Sequence, residues 1–276
     1  MRVDAHQHFW KIARGDYWWL TKDRFPQLYR DFLPADLKPL LEECKIDKTV
    51  LVQGAQTVDE TKFLLGIADA TPIVAGVVGW VDFEAKDAPA LIAGLAKNKK
   101  LLGLRPMLQD LTDDNWILKP NLKPALEAIP KNGLRFDALI FPRHLAVIRK
   151  FLDQNPDLPV VIDHGAKPEI AKGEIRSWEA AMRAIARETR AVCKLSGLAT
   201  EAGPKWNADT LMPYIEVLID AFGPKRLMWG SDWPVLNVAG EYTQWFKIAD
   251  GFTKHLSAGD RAEIFGGTAA RFYGIK

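Results

Sequence analysis

The chain has 276 residues, of which 48% are apolar and 26% charged, enough to fill a large core beneath an ordinary charged surface. Thirty-seven Lys and Arg against 35 Asp and Glu leave a formal net charge of +2 and a pI near 8.4. With no dense basic block, that balance argues against nucleic acid as a partner. Cys44 and Cys193 form no CxxC pair, no signal-peptide pattern opens the chain, and the longest apolar stretch, 72–81, is too short to span a membrane. The expectation is therefore a cytoplasmic protein with no membrane partner.

The first predicted strand covers 2–8 and contains Asp4-Ala5-His6-Gln7-His8. Residues two apart on a strand share a side, so His6 and His8 project together, with Asp4 expected on the same face. Two imidazoles at that spacing can chelate a divalent metal, and two hydrogen-bonded core histidines are the alternative. A long loop, 9–33, follows. It carries Phe9, Trp10, Tyr17, Trp18, Trp19, Phe25, Tyr29 and Phe32. It reads either as part of a binding site or as an apolar plug on the fold.

Further strands are predicted at 49–53, 73–81 and 101–105, separated by helices over 35–44, 59–70 and 85–97. The basic run Lys97, Lys99, Lys100 reads as a helix end entering a turn. Strand four ends Leu104-Arg105-Pro106, placing Arg105 to bind a carboxylate or polarise a carbonyl oxygen. A helix over 122–129 leads to strand five, 134–139, which has no histidine. A helix over 143–155 leads to strand six, 159–164, ending Val161-Ile162-Asp163-His164-Gly165. His164 thus sits at a strand terminus, and Lys167 lies on the loop beyond it. His144 and His255 fall in helical segments and read as surface residues.

After a helix over 177–189, strand seven, 191–196, carries Lys194 and Ser196. Lys194 is a candidate for substrate binding, with a salt bridge in the barrel lining as the alternative. Cys193 reads as a small core residue. The helix over 207–222 has the clearest period, with Leu211, Tyr214, Ile215, Leu218, Ile219 and Phe222 at three- and four-residue steps. Strand eight, 226–230, runs into Gly230-Ser231-Asp232-Trp233-Pro234, and helices over 241–254 and 258–272 complete the chain. Asp232 stands just past an apolar strand, as a metal ligand, a general base for water or a helix cap.

Eight β→α alternations without a compositional break predict one domain over 1–276, an α/β fold of the single (β/α)8 TIM-barrel type. A doubly wound open sheet is the alternative, but no GxGxxG follows the first strand. Barrel enzymes place their sites at the C-terminal ends of the strands. That rule gathers His6, His8, His164 and Asp232 at one rim.

These motifs, Asp-Ala-His-Gln-His-Phe-Trp at 4–10, Val-Ile-Asp-His-Gly-Ala-Lys-Pro at 161–168, Lys-Leu-Ser-Gly at 194–197 and Gly-Ser-Asp-Trp-Pro at 230–234, together resemble the amidohydrolase superfamily. They are most similar to its branch of sugar-lactone hydrolases, and the segment from Ile264 to Gly274 is similar to that branch's last helix. The resemblance implies a hydrolase acting on a carboxylic ester bond. The substrate it implies is an aldonolactone such as L-fucono- or L-rhamnonolactone. Asp232, His164, His6 and His8 would be catalytic, with Arg105, Lys194, Lys167 and Trp233 binding substrate. It also implies an optional single metal, zinc, on His6, His8, His164 and Asp232. Strand four offers Arg105 in place of a bridging lysine or glutamate, which argues against two metals. A metal-dependent decarboxylase and a non-catalytic sugar-acid-binding barrel are the other readings. Ten tryptophans could line a pocket or a homo-oligomer interface.

Overall fold

The computed structural model describes residues 1–276. Eight short strands form one sheet in sequential order, every neighbouring pair parallel: β1 Val3–Gln7, β2 Lys48–Val52, β3 Val74–Gly79, β4 Leu101–Leu104, β5 Arg135–Ala138, β6 Val160–Ile162, β7 Val192–Leu195 and β8 Leu227–Trp229. The seam between the last strand and the first is joined by backbone bonds. Asp232 N donates to His6 O at 2.8 Å, and His8 N donates to Trp233 O at 2.7 Å. The sheet thus closes into the expected barrel, and the residues that close it are those singled out for chemistry.

The helices are α1 Pro34–Cys44, α2 Val58–Ala70, α3 Ala88–Leu95, α4 Lys123–Lys131, α5 Leu145–Gln154, α6 Arg176–Glu188, α7 Leu198–Glu201, α8 Ala208–Phe222, α9 Tyr242–Phe252, α10 Ala258–Ala262 and α11 Thr268–Tyr273. The predicted last helix is broken between α10 and α11 by a π-turn over Glu263–Gly267, where Gly266 comes against the backbone of Met1 and Arg2. The short helix α7 was not predicted. A small apolar layer (Val3, Ala5, Val50, Val52, Val78, Val161, Val192, Met228) packs with Ala269 and Tyr273 of α11, and a larger layer lies between strands and helices.

Two sequence expectations need correction. His144 is not a surface residue: it is only 2% exposed, in a turn ahead of α5, where its Nδ1 accepts from Phe141 N at 3.0 Å and its Nε2 lies 3.0 Å from Asp114 Oδ1. Helical period assigns a face only inside a helix, and His144 precedes one. Asp4 does not join the histidines either. β1 shifts register between Asp4 and Gln7, and Asp4 accepts from Tyr242 Oη of α9 at 3.0 Å and from Ser231 N at 2.9 Å. Burial pushes its carboxyl up to about 6, against those hydrogen bonds. His255 is exposed, as expected.

The loop over 9–33 is pinned at its base, where Trp10 and Phe32 exchange backbone bonds at 3.0 Å each. Its side chains divide between the core and a cavity. Phe9, Trp10, Leu20, Leu28 and Phe32 are buried core, whereas Trp18, Trp19, Arg24 and Phe25 face a cavity at the barrel mouth.

Candidate functional site

The cavity has a volume of about 290 Å³ and opens at the C-terminal ends of the strands. Its floor includes His8, Gly54, Arg105, Leu139, His164 and Asp232, each just past a strand. The backbone there is bent to present side chains. His164 and Asp232 adopt left-handed φ of 54° and 60°, a conformation that costs non-glycine residues about 1–3 kcal/mol and that clusters at functional sites. Gly197, itself at φ 66°, leaves room for His164: a Cβ there would fall 2.6 Å from the imidazole.

His8 Nε2 lies 3.2 Å from both His6 Nε2 and Asp232 Oδ1, and His6 Nε2 lies 3.7 Å from Asp232 Oδ1. His8 Nδ1 faces the Val52 carbonyl at 2.8 Å, so it carries the ring proton and leaves a lone pair on Nε2. The three separations approximate the roughly 3.3 Å edge of a tetrahedron with bonds near 2.0 Å, so the donor set matches a zinc ion. His164 stands slightly apart, with Nε2 3.9 Å from Asp232 Oδ1 and Nδ1 at 2.8 Å from Ser196 Oγ. It groups more closely with His6 and Asp163.

A buried charged layer lies beneath. Arg105 Nη1 is 3.2 Å from Asp163 Oδ2 and 3.3 Å from His6 Nε2, and its Nη2 donates to Gln53 O. Lys194 reaches Asp137 Oδ2 at 2.6 Å, Asp163 Oδ1 at 3.0 Å and His6 Nδ1 at 3.1 Å. Tyr273 of α11 also donates to Asp137 Oδ2, at 2.7 Å. Asp163 and Asp137 were not singled out from the sequence. A carboxylate inside an apolar strand run such as Phe136-Asp137-Ala138 is itself the signal, because an ion is not buried without a partner.

The electrostatics separate the acids. Burial works against ionisation of Asp232, but the facing His164, with His8 and His6, outweighs it and holds its carboxyl well below the usual range. Asp163 is likewise held low, its burial outweighed by Lys194, His6 and Arg105. Asp137 is pushed up to about 6 by burial despite Lys194. Burial lowers His164 to about 4 and His6 well below its ordinary value, so both rings are neutral near pH 7.

Of the predicted substrate-binding residues, Arg105 and Lys167 line the cavity, and Lys167 also pairs with Glu201 at 3.1 Å. Lys194 is fully buried below the floor, and Trp233 packs against Phe9 and Phe32 away from the cavity.

Imidazoles gathered around a buried carboxylate at the mouth of a (β/α)8 barrel make a hydrolase-type barrel site. Sequence comparison agrees. The chain belongs to the amidohydrolase family, whose pattern matches residues 3–275. It is 47% identical to an L-fucono-1,5-lactonase of Burkholderia ambifaria, over 99% of this chain and 96% of that protein. A crystal structure of an amidohydrolase from Burkholderia multivorans with bound zinc is 34% identical, covers 100% of both chains and superposes with a TM-score of 0.95. A probable 2-pyrone-4,6-dicarboxylic acid hydrolase from Acinetobacter baumannii shares the fold at 17% identity, with a TM-score of 0.82 over 99% of each chain.

Proposed function

We propose that this chain is a lactonase that opens the ring of an aldonolactone by adding water to its carbonyl, with L-fucono-1,5-lactone as the first substrate to test. The observation that carries the reading is the Asp232 carboxylate, 4% exposed, at the floor of a cavity beside the neutral His164 ring. Near-full-length identity of 47% to a lactonase supports the substrate class. A cavity of about 290 Å³ is at the small end for ligand sites and suits a single sugar ring.

Asp232 takes a proton from the attacking water as the oxygen–carbon bond forms. The charge then developing on the carbonyl oxygen is met by the Arg105 guanidinium and by the Nε2 proton of neutral His164, whose Nδ1 takes the Ser196 hydroxyl bond. Collapse of the tetrahedral intermediate breaks the ring carbon–oxygen bond, and the proton on Asp232 passes to the leaving alkoxide. Lys167, Gln109 and Trp19 at the cavity wall orient the sugar hydroxyls and ring.

A single zinc ion would be held by His6 Nε2, His8 Nε2 and Asp232 Oδ1, with His164 adjacent. When bound it would supply a Lewis acid for the carbonyl and a more acidic water.

The test is a panel of aldonolactones in weakly buffered indicator solution. Acid release on L-fucono-1,5-lactone or a close stereoisomer, without CO2, is expected. Release of CO2 from aromatic acids and no acid from any lactone would replace this reading with a decarboxylase.

A further inference from the structure

The buried Lys194 ammonium has three acceptors in reach, and one of them is a ring nitrogen: Asp137 Oδ2 at 2.6 Å, Asp163 Oδ1 at 3.0 Å and His6 Nδ1 at 3.1 Å. An ammonium only donates, so the nitrogen facing it must offer its lone pair. The His6 proton then sits on Nε2, where it donates to His8 Nε2 at 3.2 Å. His8 can accept there because its own proton goes to Val52 O. One directed chain of donors results, from Lys194 through His6 and His8 to the β2 carbonyl. Arg105, whose Nη1 also lies near His6 Nε2, has Asp163 Oδ2 as its acceptor and does not need that lone pair.

The opposite tautomer of His6 would turn an N–H against the ammonium. It would also set two imidazole lone pairs and the Asp232 oxygen against one another with no donor among them. Relief would need a cation between them or Arg105 Nη1 turning from Asp163 to His6 Nε2, 3.3 Å away, and His6 Nε2 can ligate zinc only in this second tautomer. Its Nδ1 proton would then turn to Asp163 Oδ1, now 3.6 Å away.

We propose that Lys194 is a positioning residue that holds His6 in the Nε2–H tautomer in the metal-free protein and thereby keeps zinc affinity low. Loading zinc requires the bond between Lys194 and His6 to break. The inference concerns the site residues alone and does not depend on which lactone, if any, is opened.

The direct test uses full-length protein labelled with ¹⁵N-histidine and stripped of metal, read by long-range ¹H–¹⁵N correlation at neutral pH. A pyridine-like Nδ1 and a pyrrole-like Nε2 are expected for His6, exchanging places on addition of zinc. A pyrrole-like Nδ1 in the metal-free protein would overturn the proposal. A second measurement is zinc affinity by competition with a chromophoric chelator in the paired replacement Lys194→Met with Asp137→Asn, which removes one positive and one negative charge together. Zinc should bind at least about ten-fold more tightly than to the unaltered chain, a change of about 1.4 kcal/mol. Equal or weaker binding in the folded variant would count against the role, and if that variant does not fold the histidine spectrum decides alone. Neither readout involves turnover, so a failed lactone assay and a failed tautomer assignment are separate results.

Discussion

Asp232 Oδ1 stands 3.2 Å from His8 Nε2, across the seam where the first and last strands of the barrel meet. The contact places the one strongly acidic carboxyl of the cavity floor against a ring whose proton is committed elsewhere. Replacing Asp232 by Asn keeps the shape and removes the proton acceptor. The expected result is a loss of about 10²–10⁴ in kcat with KM little changed. A variant with nearly full kcat would remove Asp232 from the chemistry.

Asp163 links Lys194 and Arg105 in a fully buried layer. Asp163→Asn leaves two buried cations short of a counter-charge. Breaking such a pair costs about 3–5 kcal/mol. Urea unfolding should show it as a lower midpoint, and a midpoint matching the unaltered chain would mean the layer tolerates the missing charge.

Glu60 is buried beside the cavity wall, where it accepts from Gly54 N at 2.9 Å and Ala55 N at 2.8 Å. Burial outweighs those bonds and pushes its carboxyl from 4.5 up to about 7. The folded pKa exceeds the unfolded one, so its contribution is fully present below about 4.5 and is lost as pH rises through 7. The stability of the unaltered chain relative to Glu60→Gln should therefore fall by about 2–3 kcal/mol between pH 5 and pH 8. A difference that is flat or grows with pH contradicts the burial argument.

Trp19 ties the aromatic loop to the cavity through its indole N–H, which donates to Gly54 O at 2.7 Å, and it packs edge-on against Trp10 and Phe25. Trp19→Phe keeps the packing and deletes one hydrogen bond, worth about 0.5–1.5 kcal/mol. KM for the lactone should rise several-fold while kcat holds. A fall confined to kcat would mean that the loop acts on the reacting atoms.

Dialysis against a chelator should leave most of the lactonase activity in place, since Asp232, Arg105 and His164 act without a metal in the mechanism proposed. Loss of activity restored by one equivalent of zinc, verified by elemental analysis, would transfer water activation to the ion.

The barrel and its rim were legible because strand periodicity and β→α alternation are local. His6, His8, His164, Arg105 and Asp232 all lie within or just past strands, where short windows of sequence can place them. The charged layer beneath was not. Asp163 and His164 are neighbours that an ideal strand would point apart, yet the left-handed turn at His164 lets both reach the cluster. Alternation alone did not find the register shift in β1, so Asp4 was assigned to the wrong company. Tyr273 enters the picture only because α11 folds back under the barrel, a contact spanning 136 positions that no local pattern encodes.

The barrel seam has a kinetic consequence. His8 and Asp232 are 224 positions apart, and the bonds that close the sheet are those that bring them together. Contacts of such long range carry a large loop-closure cost and form late. A chain refolding from denaturant can regain secondary structure and compactness before its ends meet, but not turnover. Recovery of activity therefore reports the joining of the two ends of the chain, and intermediates that precede it should be catalytically silent.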